Sequence, residues 1–144
     1  LCTQPFFGLD STTLPCPLTD GVEQDLSGNT LPFAAELNYR LGVTKFVDTN
    51  NGTWTFRADY SYRDDYYSSI FNRNRGHIDS VDLVDVSVRY TPTSEDWYVG
   101  AYIRNLGDED HVYAYYSTDV TVGGFQNGVA IDPKIWGINF GRNF

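Results

Sequence analysis

The chain is organised as runs in which apolar and polar residues alternate. In the clearest run, residues 53–63, one set of alternate positions holds Trp54, Phe56, Ala58, Tyr60 and Tyr62, and the other holds Thr55, Arg57, Asp59, Ser61 and Arg63. A period of two is typical of an extended strand whose two faces differ in chemistry. Further runs of this kind occupy residues 36–46, 82–90, 97–105 and 134–144. The pattern predicts five β-strands and an all-β fold.

The length of these runs and their aromatic ends indicate a membrane. A tilted strand needs about ten residues to cross the hydrocarbon of a bilayer. Aromatic residues stand at both ends of the predicted strands: Phe46, Trp54, Tyr90, Trp97 and Phe144 at one end, and Tyr62, Tyr66 and Trp136 at the other. Two such belts are typical of the interfacial girdles of membrane barrels.

The connections between the runs alternate in length. Residues 47–52, which include the favoured turn pair Asn51-Gly52, and residues 91–96 are short, whereas residues 64–81 and 106–133 are long. On an antiparallel sheet this places all short turns at one end. We therefore expect an antiparallel transmembrane β-barrel fragment with about five long strands, short periplasmic turns and long extracellular loops. Residues 112–117 are expected to extend the fourth strand above the membrane.

Five strands cannot close a barrel. Closure takes about eight strands, and an open edge in lipid leaves backbone groups without partners. The chain contains no methionine, which indicates a processed chain or, as the favoured interpretation, a piece of a longer protein. We expect the missing strands to precede Leu1. No apolar run approaches the length of a membrane helix.

Composition argues against nucleic-acid binding and against catalysis. The formal charge of −9 is unfavourable for a polyanionic partner. The only histidines are His77 and His111, no serine lies in a nucleophile-elbow pattern, and no cofactor motif is present, so we expect no enzyme and no cofactor. Residues 64–65 and 108–111 are acidic, but they lack the alternate-position spacing of a calcium loop, which favours solvated loops over a metal site.

Cys2 and Cys16 are the only cysteines. They flank a segment rich in Pro, Thr and Ser with no histidine to complete a zinc site. A disulfide that closes a surface loop in an oxidising compartment is the favoured interpretation, and two free thiols are the alternative.

Three segments resemble TonB-dependent outer-membrane receptors. Residues 25–34 (Asp-Leu-Ser-Gly-Asn-Thr-Leu-Pro-Phe-Ala) resemble the entry into a strand of that family, residues 101–109 (Ala-Tyr-Ile-Arg-Asn-Leu-Gly-Asp-Glu) its penultimate strand, and residues 132–137 with the terminal Phe144 its last strand. The resemblance implies a barrel of about 22 strands filled by a plug. Residues 1–35 would be an extracellular loop and residues 36–144 the last five strands, with the plug domain absent from this chain.

The resemblance also implies a function. Such receptors import iron chelates, cobalamin, sugars or other scarce nutrients across the bacterial cell outer membrane. The implied partners are outer-membrane lipid, the plug domain, a small-molecule substrate and the TonB system, which would act through a missing N-terminal region. The final aromatic residue, Phe144, would be the signal for barrel assembly.

Two groups of residues are candidates for the site. The charged residues expected to face the lumen are Arg57, Asp59, Arg63, Asp85 and Arg89. They would pair with one another and with a plug, or contact the substrate directly. The loop residues His111, Tyr113, Tyr115 and Tyr116 could stack on a ligand or clasp neighbouring loops.

Two other functions compete with transport by a receptor. One is a secreted, soluble β-sandwich that binds glycans through its tyrosines. The other is a passive, porin-like barrel without a plug.

Overall fold

The described residues form one long antiparallel sheet with a layer of smaller elements at one end. The computed structural model describes residues 25–118 and 123–143. Its strands are β1 (Asn38–Thr49), β2 (Gly52–Arg63), β3 (Tyr66–Tyr67), β4 (His77–Ile78), β5 (Val81–Pro92), β6 (Trp97–Arg104), β7 (Val112–Ser117), β8 (Gln126–Ala130) and β9 (Ile135–Arg142). A 3-10 turn, Asn74–Gly76, precedes β4.

The long strands pair in the order β1-β2-β5-β6-β9, and every neighbouring pair is antiparallel. β3 pairs with β4, and β7 pairs with β8, each in a two-stranded sheet of its own. The all-β prediction and the five long strands are confirmed. No helix in the described part of the chain has the length and apolar character to cross a membrane.

The strand register confirms the predicted separation of two faces. Cross-strand pairs on the apolar face are Val43–Ala58, Ala58–Val86, Val86–Ile103 and Ala101–Ile138. Pairs on the opposite face, called the polar face below, are Gly42–Asp59, Arg57–Ser87, Ser87–Tyr102 and Tyr102–Gly137. Because alternate residues point to opposite faces, one register fixes the face of every side chain in the sheet.

Aromatic rings form a row across the short-turn end of the apolar face. Ring centroids are 4.9 Å apart for Trp54 and Tyr90, 5.8 Å for Tyr90 and Trp97, and 6.3 Å for Trp97 and Phe140. At the long-loop end, the ring of Tyr39 lies 6.0 Å from that of Tyr60 and 5.3 Å from that of Tyr62.

Two residues assigned to the belts lie elsewhere. Phe46 is opposite Thr55, so it belongs to the polar face, because it falls out of phase with the apolar positions of its strand. Tyr66 is only 4% exposed and is packed inside the loop layer. The belt prediction was wrong for these two residues.

The first short turn is displaced by one residue from the predicted pair. Thr49 pairs with Gly52, so the turn consists of Asn50 and Asn51, and the Thr49 hydroxyl donates to the Gly52 carbonyl over 2.6 Å. Gly52 is instead required by close approach to β5, since a Cβ there would lie 2.3 Å from the Thr91 carbonyl oxygen. The glycine marks a contact between strands rather than the centre of the turn.

Residues 112–117 do not continue β6. They form β7, which pairs with β8 in a separate sheet. Asn105 and Asp108 between β6 and β7 have φ angles of 49° and 58°, a left-handed conformation that a strand cannot contain. The expected extension of the fourth strand is therefore interrupted.

Most buried apolar side chains of the described residues lie outside the long sheet. Tyr66, Ile78 and Ala114, which are 4%, 2% and 2% exposed, belong to β3, β4 and β7. By contrast, Phe56 and Ile138 on the apolar face are 45% and 73% exposed. The long loops thus pack on one another, whereas no other described residues cover the apolar face of the sheet.

Candidate functional site: the polar face and the loop layer

An ion-pair cluster occupies the middle of the polar face. Arg57 donates twice to Asp59, from Nε to Oδ2 over 2.6 Å and from Nη2 to Oδ1 over 2.8 Å. Arg40 Nε lies 3.7 Å from Asp59 Oδ1. Gly42 leaves room for this carboxylate, since a Cβ there would lie 3.0 Å from Oδ1. The paired geometry fixes Asp59 as an acceptor between two guanidinium groups.

The other predicted charges on this face have different surroundings. Asp85 Oδ1 accepts a hydrogen bond from the backbone N–H of Asn105 over 3.0 Å. The Arg89 guanidinium lies 3.6 Å from the ring centroid of Tyr98, a close cation–π contact. Asp85 therefore holds the end of β6, and Arg89 is fixed against a ring.

A depression of about 310 Å³ lies over this cluster. Its charged and aromatic lining consists of Arg40, Arg57, Asp59, Asp85, Tyr102 and Arg104. Three arginines face two aspartates, so the depression carries an excess of positive charge. Tyr102 lies over Gly137 in β9, where a Cβ would lie 2.7 Å from its phenol oxygen, so the neighbouring strand leaves space for the ring.

The loop residues predicted as ligand contacts separate into two pairs. His111 and Tyr113 line a second cavity, of about 270 Å³, together with Arg63 and Tyr66. Tyr115 and Tyr116 do not line this cavity, and Tyr116 is 57% exposed. The structure thus brings one predicted charge, Arg63, together with two of the four predicted loop residues.

Asn105 is a residue that the sequence did not single out by itself. It is 5% exposed. Its Nδ2 donates to the carbonyls of Glu109 over 2.9 Å and of Asp132 over 3.2 Å, and its Oδ1 accepts from the Glu109 N–H over 2.8 Å. The sequence signal that could have identified Asn105 was its position in residues 101–109, the segment that resembles the penultimate strand of TonB-dependent receptors. Its partner Asp132 is distant in sequence, so only the fold reveals this role.

A second polar contact organises the first long loop. His77 Nε2 lies 2.9 Å from Asp65 Oδ2, and His77 Nδ1 lies 3.5 Å from Asp79 Oδ1. The hydrogen bond from His77 lowers the pKa of Asp65 from its ordinary value. The ring of Tyr67 meets His77 edge-on, with centroids 5.1 Å apart.

Two of the acidic loop residues make polar contacts within the protein. Asp65 contacts His77, and Asp108 Oδ1 accepts from the Lys134 N–H over 3.1 Å. Across residues 25–118 and 123–143, no group of three or more His, Cys, Asp or Glu side chains converges as metal ligands would. The predicted disulfide residues Cys2 and Cys16 and the predicted assembly signal Phe144 lie outside the described residues.

These features define a class of protein. A sheet with an exposed apolar face, aromatic rows at its ends and ion pairs on the opposite face is the wall of a transmembrane β-barrel. Residues 7–106 match the family described as "TonB dependent receptor-like, beta-barrel". The chain belongs to this family, and the resemblance found in its sequence is confirmed.

Two solved structures are similar to the chain. One is the ferric yersiniabactin uptake receptor FyuA from Yersinia pestis, with a TM-score of 0.69 and 20% identity over 80% of this chain. The other is BauA, the ferric preacinetobactin receptor from Acinetobacter baumannii, with a TM-score of 0.60 and 20% identity over 80% of this chain. The chain spans 17% and 16% of those two proteins. At this identity the likeness concerns the fold. Comparison with curated proteins gives no significant match.

Proposed function

We propose that this chain forms barrel wall and extracellular loops of an outer-membrane receptor that actively imports a ferric chelate. The observation that carries the proposal is the two-faced sheet, with uncovered apolar side chains on one face and the Arg57–Asp59 pair on the other. Such a sheet suits a wall between acyl chains and a watery lumen. The chain has a structural role in transport and no catalytic one.

The iron-chelate class is favoured over cobalamin and sugars. Both similar structures are described as receptors for ferric compounds. The positive excess of the depression around Arg40, Arg57 and Arg104 supports an anionic substrate as well.

The proposal includes parts that this chain does not contain. The polar-face charges Arg57, Asp59, Arg63, Asp85 and Arg89 line the lumen and face a plug domain, and TonB supplies energy through a segment near that plug. Residues 1–35 form an extracellular loop closed by Cys2 and Cys16, residues 36–144 form the last strands, and Phe144 directs assembly into the bacterial outer membrane.

The test is uptake of iron by cells. A strain that lacks the complete receptor gene is compared with the complemented strain, each with and without TonB, under iron restriction. The cells receive ⁵⁵Fe bound to a panel of siderophores, and separately labelled cobalamin and labelled oligosaccharides. Accumulation of ⁵⁵Fe that requires both the receptor and TonB is the expected result.

Each competing function has its own outcome in this experiment. Receptor-dependent uptake that continues without TonB would indicate a passive barrel. Recovery of the protein from the culture medium, with none in the outer membrane, would indicate a secreted glycan-binding domain. Uptake of cobalamin or oligosaccharide instead of ⁵⁵Fe would exclude the iron-chelate class.

A further inference from the structure

The second cavity lies where the polar face meets the loop layer. Its volume is about 270 Å³, and its lining includes Arg63 at the end of β2, Val81 and Leu83 from β5, and Tyr66, His111 and Ile131 from the loops. Pockets for whole ligands are commonly about 300–1,000 Å³. This cavity therefore suits one ring-sized group of a larger molecule.

His111 lines this cavity, and its ring carries a polar atom without a partner. Its Nε2 is buried and has no hydrogen-bond partner within the described residues. The backbone beside it is held in place, because the His111 carbonyl accepts from the Ile131 N–H over 2.9 Å. A buried polar atom without a partner is costly, and a ligand that supplies the missing hydrogen bond removes this cost. Imidazole nitrogen can donate or accept according to its tautomer.

Arg63 supplies a positive charge at the same cavity. Its guanidinium lies 5.6 Å from the ring centroid of Tyr66. That ring is itself fixed, because the Tyr66 hydroxyl donates to the Tyr113 carbonyl over 2.6 Å. No carboxylate of the described residues lies within ion-pair distance of Arg63. A guanidinium with free donors is suited to an anionic oxygen, which it can bind with two parallel hydrogen bonds.

The remaining lining combines the polar side chains of Asn38 and Ser61 with a larger apolar surface. Val81, Leu83 and Ile131 offer aliphatic surface, and Tyr66 offers an aromatic ring. A small inorganic anion would gain nothing from these side chains, whereas a planar ring would be desolvated against them.

We propose that Arg63 and His111 form a binding site for an aromatic ring that carries an anionic oxygen, either phenolate or carboxylate. This inference rests on the proposed function, and it identifies the part of the imported chelate that the extracellular end of the wall recognises. Arg63 pairs with the anionic oxygen, and His111, once its ring turns towards the cavity, makes a second hydrogen bond through Nε2 to the oxygen-bearing edge of the ligand ring. Tyr115 and Tyr116 take no part in this site.

The test uses the complete receptor in detergent and salicylate as the probe. Binding is measured by isothermal titration calorimetry for the wild type and for the variants Arg63→Gln and His111→Phe. Tyr116→Phe is the matched control, because Tyr116 is a loop tyrosine outside the cavity. Each site variant is expected to weaken salicylate binding about tenfold or more, the effect of losing one hydrogen bond to a charged group. The control is expected to bind as the wild type does.

Salicyl alcohol tests the role of the charge, because it keeps the ring and phenol but lacks the carboxylate. The wild type is expected to bind it about tenfold or more weakly than salicylate. Equal affinity for the two compounds, absence of salicylate binding, or unchanged binding by both site variants would overturn the proposal.

A measurement on the unaltered receptor covers the case in which a variant fails to fold. Photo-crosslinking with azidosalicylate, followed by peptide mass spectrometry, is expected to label residues 61–66 or 111–113. Labelling confined to other segments contradicts the site. These results are independent of iron uptake. Import of ⁵⁵Fe without salicylate binding would contradict only this inference. Salicylate binding without iron import would contradict the proposed function.

Discussion

At the scale of single residues, Asn105 joins three parts of the chain that are far apart in sequence. Its backbone N–H donates to Asp85 in β5, and its side chain binds the backbone of Glu109 and of Asp132. Its φ of 49° is a conformation that asparagine tolerates better than most residues. The residue therefore ties the segments before β7 and after β8 to the end of the long sheet.

We expect Asn105→Ala to destabilise this junction. The substitution leaves buried backbone groups without partners, which costs about 1–3 kcal/mol, and it adds left-handed strain of about 1–2 kcal/mol. Asn105→Gly loses the same hydrogen bonds but avoids the strain, so it should be less damaging than Asn105→Ala. The measurement is the temperature at which the receptor loses its folded band in gel electrophoresis. Asn127→Ala, at an exposed asparagine of β8, is the control. Equal stability of all three variants would contradict this role.

The Asp65–His77 contact gives a pH dependence whose sign follows from the pKa of Asp65. Because folding lowers the pKa of this carboxyl from its ordinary value of 3.8, the contact stabilises the loop above about pH 4. This stabilisation is lost as the pH falls through the lowered pKa. We expect pepsin to cleave residues 64–80 faster in Asp65→Asn than in the wild type at pH 4.5. The two rates should converge near pH 2. A difference that persists at low pH would show that the contact does not depend on the charge of Asp65.

At the scale of elements, β5 carries adjacent residues on opposite faces. Val86 pairs with Ala58 and Ile103 on the apolar face, and Ser87 pairs with Arg57 and Tyr102 on the polar face. The same substitution at the two positions therefore tests what each face contacts.

We expect Val86→Asp to prevent assembly of the complete receptor in the outer membrane, and Ser87→Asp to leave assembly intact. A carboxylate in the acyl region costs a few kcal/mol or less, depending on depth, whereas the one at position 87 would lie beside the Arg57 guanidinium. The check is the amount of heat-modifiable receptor in outer-membrane fractions. Equal amounts from the two variants would contradict the assignment of the apolar face to lipid.

At the scale of the whole molecule, the sheet has two edges without partners among the described strands. β1 pairs only with β2, and β9 pairs only with β6. An unpaired edge of twelve residues and an uncovered apolar face are both sites of self-association.

The chain expressed alone in the absence of detergent is therefore expected to aggregate. Analytical ultracentrifugation should show no monomer, and detergent micelles should reduce the aggregation by covering the apolar face. A secreted β-sandwich would behave differently, as a soluble monomer with cooperative unfolding. A monomeric and cooperative species would contradict the barrel wall.

Much of the wall could be predicted from the sequence because each strand obeys a local rule. Alternation in residues 53–63 fixed both faces of β2, and the short turns fixed antiparallel neighbours. Two of the errors arose where a distant contact overrides that rule. The sequence alone places Gly52 in a turn, and only the fold shows its close approach to Thr91. Tyr66 is expected in an aromatic belt from its position in the sequence, but the loop layer buries it.

The sequence by itself determined the strands, their order in a meander and the chemistry of their two faces, since period-two alternation and turn length act over a few residues. Only the tertiary structure decided which polar groups meet. The junction at Asn105, the contact of Arg40 and Gly42 with Asp59, and the cavity shared by Arg63 and His111 each depend on segments that the fold brings together. Their geometry follows from the register of the sheet and the packing of the loops.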